Sequence, residues 1–370
     1  GPDLLGEPAV ERQLVRHRAQ KGHRRVRMRV FEGFQRGINL GGWLSQCANM
    51  TEEHLNTFIT AADLQAIARM GFDHVRLPVD YDAIEDENGS DIESGLRHVD
   101  DCVRWCAENG LHMLLDLHKA RGYSFDPSAK NDDKLSFFSN EALQADFIAL
   151  WQRLAARYGS QPHVAFDLLN EVVPVEVAES WNDIAERAIT AIRPLAPDTW
   201  LLVGGVRYNN VQSVPMLRKP HDDRVVYNFH CYDPLLFTHQ NAGWVPRLKG
   251  LRAVYPDTPA HYARIGQERD SAVPGMDQLQ ELGPQFFELL FADAIRYAEQ
   301  NGAPLYCGEY GVIDQADTAS AIHWLRDITT VFERHGIGRA LWSYKRMDFG
   351  LIDEHYDGVR PQVLRALNLG

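Results

Sequence analysis

An alternation constrains the fold of this 370-residue chain more than any other feature of it. Apolar runs of strand length are followed by helical patterns, and the cycle repeats eight times. The strand-like runs lie near 35–39, 73–78, 112–117, 164–169, 200–204, 225–230, 304–308 and 338–343. Helical spacing of apolar residues appears near 60–70, 95–109, 140–158, 178–195, 285–301 and 318–335, with a closing helix near 360–368. The stretch 208–218 after the fifth strand is shorter and less regular. Parallel strands need a crossover of about a dozen residues, usually a helix. Eight such units with no Pro/Gly/Ser-rich linker between them predict a single α/β domain over 1–370, a (β/α)8 TIM barrel. Residues 1–33 read as a lead-in or barrel-floor segment. Their arginines, including Arg24, Arg25, Arg27 and Arg29, suit the solvated face of a leading helix or a hairpin closing the floor.

Two connections are far longer than the usual loop. One runs from Lys119 to about Asn140 after the third strand, the other from Cys231 to about Pro284 after the sixth. Both leave C-terminal strand ends, where such barrels keep their active sites. Tyr123, Phe125, Phe137, Phe138, Trp244 and Tyr255 predict that these loops are ordered walls.

The formal charge of −13 disfavours a phosphate-binding surface, so no nucleic-acid partner is expected. No apolar run is long enough to span a membrane. Five cysteines cannot all pair. Cys102 and Cys106 share one helix face and read as core packing, while Cys231 and Cys307 lie in or beside strand-like runs. Free thiols and the lack of an apolar signal segment predict a cytoplasmic protein; the alternative is a secreted one whose signal peptide has been removed.

Two glutamates close strand-like runs: His163-Val-Ala-Phe-Asp-Leu-Leu-Asn-Glu171 and Ala303-Pro-Leu-Tyr-Cys-Gly-Glu309. Carboxylates at two barrel-strand tips are what glycosidic cleavage needs, one to protonate the leaving oxygen and one to attack carbon. The other strand ends supply Arg76, His118, Asn170, His230, Tyr232 and Trp342. Singly, Arg76 reads as a buried ion-pair partner, the histidines as satisfied core residues and Trp342 as a cap on the core. Jointly, on one rim with two glutamates, they read as a site.

These pieces resemble glycoside hydrolase family 5, the retaining cellulase, exo-β-glucanase and mannanase-like barrels. The resemblance runs from about Arg36 to Arg360. It rests on Arg36-Gly-Ile-Asn-Leu-Gly-Gly-Trp43, Val75-Arg-Leu-Pro78, Asp116-Leu-His118, Leu169-Asn-Glu171, His230-Cys-Tyr232, Gly308-Glu-Tyr-Gly311 and Leu341-Trp-Ser343. It implies that Glu171 is the general acid/base and Glu309 the nucleophile. It further implies a sugar-binding shell of Arg76, His118, Asn170, His230, Tyr232 and Trp342. Asn39 and Trp43 from the opening motif, Trp244 from the long loop, and Lys345 and Asp348 after the eighth strand join the expected substrate contacts. Charged groups at Lys345, Arg346 and Asp348 either bind sugar hydroxyls or pair with one another. No metal or organic cofactor is called for, and no His-Glu-x-x-His, P-loop or Gly-x-Ser-x-Gly occurs. The long walls predict a closed pocket and exo-action on short β-glucosides. The alternatives are a β-mannosidase, an endo-β-glucanase or mannanase of the same fold, or a non-catalytic carbohydrate-binding barrel. The expected partner is an oligosaccharide or glycoside.

Overall fold

A computed structural model describes residues 27–126, 135–266 and 273–369. Arg24 and Arg25 lie outside the described residues. Eight strands close a barrel in sequence order: β1 (Arg36–Asn39), β2 (His74–Asp80), β3 (His112–Lys119), β4 (Val164–Asp167), β5 (Leu201–Gly204), β6 (Val225–Cys231), β7 (Leu305–Tyr310) and β8 (Gly338–Leu341). Every pairing is parallel, including β1 with β8. Helices between and after the strands wrap the barrel, the main ones among the described residues being α1 (Ala61–Arg69), α2 (Glu93–Glu108), α3 (Glu141–Tyr158), α4 (Ala178–Ile192), α5 (Pro284–Asn301), α6 (Thr318–His335) and α7 (Arg360–Ala366). The fifth crossover differs. In place of an α-helix it uses a 3-10 turn, Val211–Met216, with Pro215 inside it. Proline has no N–H for an i−4 bond and its ring crowds the preceding turn.

The barrel interior changes chemistry from floor to rim. At the floor, Phe31 and Phe34 stack at 4.2 Å and pack with Leu114, Ala165, Leu202, Val226, Tyr306 and Ala340. The layer above is polar, with Arg76, Asp116, Asp167 and Asn228 all almost fully buried. Register shifts interrupt β2/β3 at Val79/Asp80, β6/β7 at Phe229/His230 and β7/β8 between Cys307 and Tyr310. All three fall near C-terminal strand ends. Such irregularities re-aim side chains and commonly sit beside active sites, and two of them bracket His230 and Glu309.

The long loops carry their own cores. After β3, Tyr123, Phe137 and Phe138 are buried and meet edge-on or tilted, and Gln144 of α3 donates to the Phe137 carbonyl at 3.0 Å. After β6, Phe237 and Tyr255 pack together, and the Tyr255 hydroxyl donates to Asp327 of α6 at 2.7 Å. All five cysteines are free. Among the described residues no helix is long and apolar enough to cross a membrane.

Candidate active site

Arg76, completely buried on β2, organises the rim. Its Nη1 donates to Asn39 Oδ1 and Glu309 Oε2, both at 3.0 Å. Its Nη2 donates to Asp167 Oδ2 and Asn170 Oδ1, both at 3.1 Å, and lies 3.2 Å from Asp116 Oδ2. Burial works to lower the guanidinium's pKa, but Asp116, Asp167 and Glu309 outweigh it and hold Arg76 protonated. The second oxygen of Glu309 accepts from the Tyr232 hydroxyl at 2.7 Å. Burial, with Glu309 alongside, pushes the Tyr232 phenol well above its ordinary range, so it keeps its proton and donates. Glu309 is thus fixed from two sides in one orientation.

Glu171 is held by other means. Its backbone has a left-handed φ of 39°, a conformation uncommon outside glycine. The Tyr123 hydroxyl donates to its carbonyl and Tyr208 N–H donates to Val172 O at 3.2 Å, so both long-loop and β5-loop residues pin this turn. The carboxylate lies 2.6 Å from His230 Nδ1. Burial pushes Glu171 up to about 7, against the pull of His118 and Arg76. Burial also drives His230 down to about 3 and His118 to about 4, so both imidazoles are neutral at neutral pH. His118 Nδ1 faces Asp116 Oδ2 at 2.6 Å and its Nε2 faces Asn170 Nδ2 at 3.3 Å. The neutral ring therefore donates to Asp116 and accepts from Asn170. Trp342 stacks over His118 at 6.0 Å and 10°, and a cis peptide joins it to Ser343.

One carboxylate oxygen of Glu171, one of Glu309 and a ring nitrogen of His230 lie within 4.8 Å of one another. Inverting glycosidases separate their carboxyls by roughly 6.5–9.5 Å to admit a water, whereas retaining ones hold them about 5–5.5 Å apart. The short spacing leaves room for direct attack on carbon. The same trio has the donor types of a cation site, but both Glu309 oxygens are already engaged by Arg76 and Tyr232. A buried guanidinium 3.0 Å away opposes a further positive charge.

The rim thus brings together Arg76, His118, Asn170, Glu171, His230, Tyr232, Glu309 and Trp342. Three expected sugar contacts are placed otherwise. Asn39 is buried, and its amide donates to the carbonyls of Gly308, Ala340 and Leu341 while its oxygen accepts from Arg76. It ties β1 to β2, β7 and β8 from a fully buried position. Trp43 is fully buried, donates to Leu55 O at 2.9 Å and stacks at 6.3 Å with Trp105 of α2, on the outer face of the sheet. Lys345 donates to Phe58 O at 2.7 Å and sits 4.7 Å over the Phe58 ring, so it neither pairs with Asp348 nor stands free. Asp348 is exposed, and its backbone carbonyl accepts from Asp314 N–H at 2.8 Å. Trp244 is about half exposed and meets His239 edge-on, which in turn meets Tyr232.

Some participants were not singled out by the sequence reading. Asp116 and Asp167 flank Arg76, and Asn228 donates to Asp167 Oδ2 at 3.0 Å while accepting from Gly308 N–H. The signal available was the period of two that puts Asp116 on the same face as His118. Tyr208, 46% exposed beside Glu171, stands in a run of three left-handed residues, 207–209, that no apolar pattern reveals.

Comparison with known proteins gives the same picture. The model of the cellulase family, glycosyl hydrolase family 5, matches residues 35–348. Cellodextrinase A of Ruminococcus flavefaciens is 41% identical over 309 residues, covering 83% of this chain and 84% of its own. Endoglucanase C of Acetivibrio thermocellus is 40% identical over 343 residues, covering 90% and 98%. Among solved structures, Thermotoga maritima Cel5A in complex with cellobiose superposes with a TM-score of 0.69 at 22% identity, covering 90% of this chain and 97% of that one. At that identity the likeness speaks for the barrel alone.

Proposed function

The chain belongs to glycosyl hydrolase family 5 and is a retaining β-glycoside hydrolase; from that premise we propose that it cleaves short β-gluco-oligosaccharides of the cellodextrin kind, releasing sugar from the non-reducing end, with Glu309 as nucleophile and Glu171 as acid/base. One observation carries the assignment of roles: two carboxyls with oxygens within 4.8 Å of one another are held in opposite ways. Glu309 is locked by a cation and a phenol, as an attacking carboxylate needs. Glu171, pushed up by burial beside a neutral imidazole, is suited to carry a proton to a leaving oxygen.

The steps follow from these contacts. Glu309 attacks the anomeric carbon while Glu171 gives its proton to the departing oxygen. Glu171, now ionised, takes a proton from water, which attacks the same carbon and frees Glu309. Asn170 has its oxygen on Arg76 and one amide hydrogen on His118, so its second amide hydrogen is available to a sugar hydroxyl. Trp342 offers a flat face to the ring being cleaved.

Short substrates and exo-action are supported by the two walls after β3 and β6 and by the cellodextrinase relative. A second reading, an endo-acting cleft, is favoured by the endoglucanase relatives and by two exposed aromatics on loops at the rim, Tyr208 and Trp244. Time courses on cellodextrins labelled at the reducing end decide between them. Unlabelled glucose as the first product supports the proposal. Early mid-length products from soluble β-glucan would replace it with the endo reading, and faster turnover of manno-oligosaccharides would overturn the choice of sugar.

A further inference from the structure

Beneath the reacting carboxyls the charge count does not balance. The single guanidinium of Arg76 faces three carboxylates, Asp116, Asp167 and Glu309, at 3.0–3.2 Å, all in a layer shut off from solvent. The two histidines that face the cluster, His118 from β3 and His230 from β6, are neutral and add no positive charge. Tyr306 of β7 lies below and Glu171 above, and neither is a cation. With every carboxylate ionised, the layer would bury an excess of two negative charges, which costs several kcal/mol per unpaired ion.

The hydrogen bonds show where the imbalance is relieved. Asp167 Oδ2 accepts from Arg76 Nε, Arg76 Nη2 and Asn228 Nδ2. Asp116 Oδ2 meets Arg76 and His118. The other oxygens, Asp116 Oδ1 and Asp167 Oδ1, are both buried and both without a partner. Asp116 and Asp167 are register partners on adjacent strands, so their side chains leave the same face of the sheet side by side. Each aspartate thus keeps one bare buried acceptor on the same face of the sheet, where a proton can be held.

We propose that Asp116 and Asp167 hold a single proton between the two of them, making them a positioning pair that leaves the charge of Arg76 available to Glu309. The proposal rests on Glu309 being the nucleophile. Burial pushes both aspartyl groups above the ordinary carboxylate range while Arg76 pulls them down, which favours one proton between two groups. With the pair carrying one proton, the guanidinium faces two negative charges instead of three, the buried excess falls from two to one, and Nη1 stays on the attacking carboxylate. With both aspartates ionised, it would be drawn towards the two of them.

Infrared spectra of protein labelled with 13C at the aspartyl carboxyls test this, in a Glu171→Gln background near neutral pH. The expected result is a protonated aspartyl carbonyl band that disappears in Asp116→Asn and in Asp167→Asn alike, since a lone aspartate beside Arg76 ionises. No such band in the parent, or a band that survives either substitution, overturns the sharing. Kinetics in the wild-type background give a second readout. In Asp167→Asn, the amide oxygen keeps the bonds from Arg76 and Asn228 and its NH2 replaces the shared proton. We expect an unmoved acid limb in Asp167→Asn and a smaller loss of kcat than in Asp167→Ala, which lowers kcat at least about tenfold with little change in KM. An acid limb moved down by about one unit or more in Asp167→Asn would mean that both aspartates are ionised in the wild type. Trapping with a 2-deoxy-2-fluoroglycosyl fluoride separates the premise from the proposal. Failure to label Glu309 would remove the nucleophile reading, while the infrared result would still judge the proton.

Discussion

At the scale of single residues, the two glutamates differ in what their removal should do. Glu309→Gln keeps the shape and loses the nucleophile, so turnover should fall by several orders of magnitude with the fold intact by circular dichroism. Near-normal hydrolysis would reject the assignment. Glu171→Ala should spare the first step for dinitrophenyl glycosides, whose leaving groups need little acid. A burst should precede slow turnover, and azide should accelerate the second step and give a β-glycosyl azide. Equal losses on good and poor leaving groups without azide rescue would mean that Glu171 is not the acid/base. The raised Glu171 carboxyl also fixes the sign of the pH response. The acid must be protonated, so kcat/KM on poor leaving groups should hold below about 7 and fall as pH rises through it. An alkaline limb unchanged in Glu171→Gln would disconnect it from this residue. These groups were legible in the sequence because each ends an apolar run and each residue type announces its chemistry. Asp116 and Asp167 were not singled out: the period of two sets Asp116 on the face of His118, but the role of a carboxylate inside a strand shows only once its neighbours across the barrel are known. Asn39 and Trp43 misled for the converse reason. They sit in a motif beside the site, yet their side chains are consumed by neighbouring strands and a helix.

Among the elements, strands and helices were read to within a few residues wherever apolar periodicity was strong, from β1 to α7. The fifth crossover was the weak place. Pro215 and three consecutive left-handed residues set its path, and neither leaves a periodic trace. In the described parts of the long loops the aromatics read as packing residues do pack, since Tyr123, Phe137, Phe138 and Tyr255 are buried; residues 127–134 and 267–272 lie outside the described residues. What sequence could not give was the direction of individual side chains on the loops at the C-terminal rim. Lys345 turns onto Phe58, while Trp244 remains half exposed against His239. That exposure leaves the Trp244 ring free to stack on a sugar, a role that can be tested. An aromatic stacking face is worth about 0.5–1.5 kcal/mol beyond its buried area, so Trp244→Ala should raise KM for short oligosaccharides by up to roughly tenfold. The effect should be absent on a small aryl monoglucoside that does not reach the loop. An equal rise on both substrates would make Trp244 a structural residue of the loop instead.

For the molecule as a whole, closure is the distinctive demand, because the first and last strands must find each other across more than 300 residues of chain. The seam between β1 and β8 is short, three register pairs, and one of them sets Arg36 directly beside Arg339. Like charges side by side would push the seam apart. Glu333 of α6 bridges them: its Oε1 accepts from Arg36 Nε at 3.0 Å, from Arg339 Nη2 at 2.6 Å and from Asn368 near the C-terminus at 2.9 Å. Burial works to raise the Glu333 carboxyl, but these donors outweigh it and hold it down at about 2. A depressed carboxylate stabilises the fold above its unfolded-state pKa and loses that contribution as pH falls towards its folded value. Glu333→Gln should therefore lower stability at neutral pH by about 1–3 kcal/mol, less than a wholly buried pair would cost because Glu333 is partly exposed. The gap between wild type and variant should be full at pH above about 4.5 and close progressively as the acid range is entered. Urea unfolding midpoints taken across that range measure it directly. A gap that stays constant down to the acid limit would show that Glu333 acts through its packing and neutral hydrogen bonds, and not as the charge that holds the two arginines at the barrel seam.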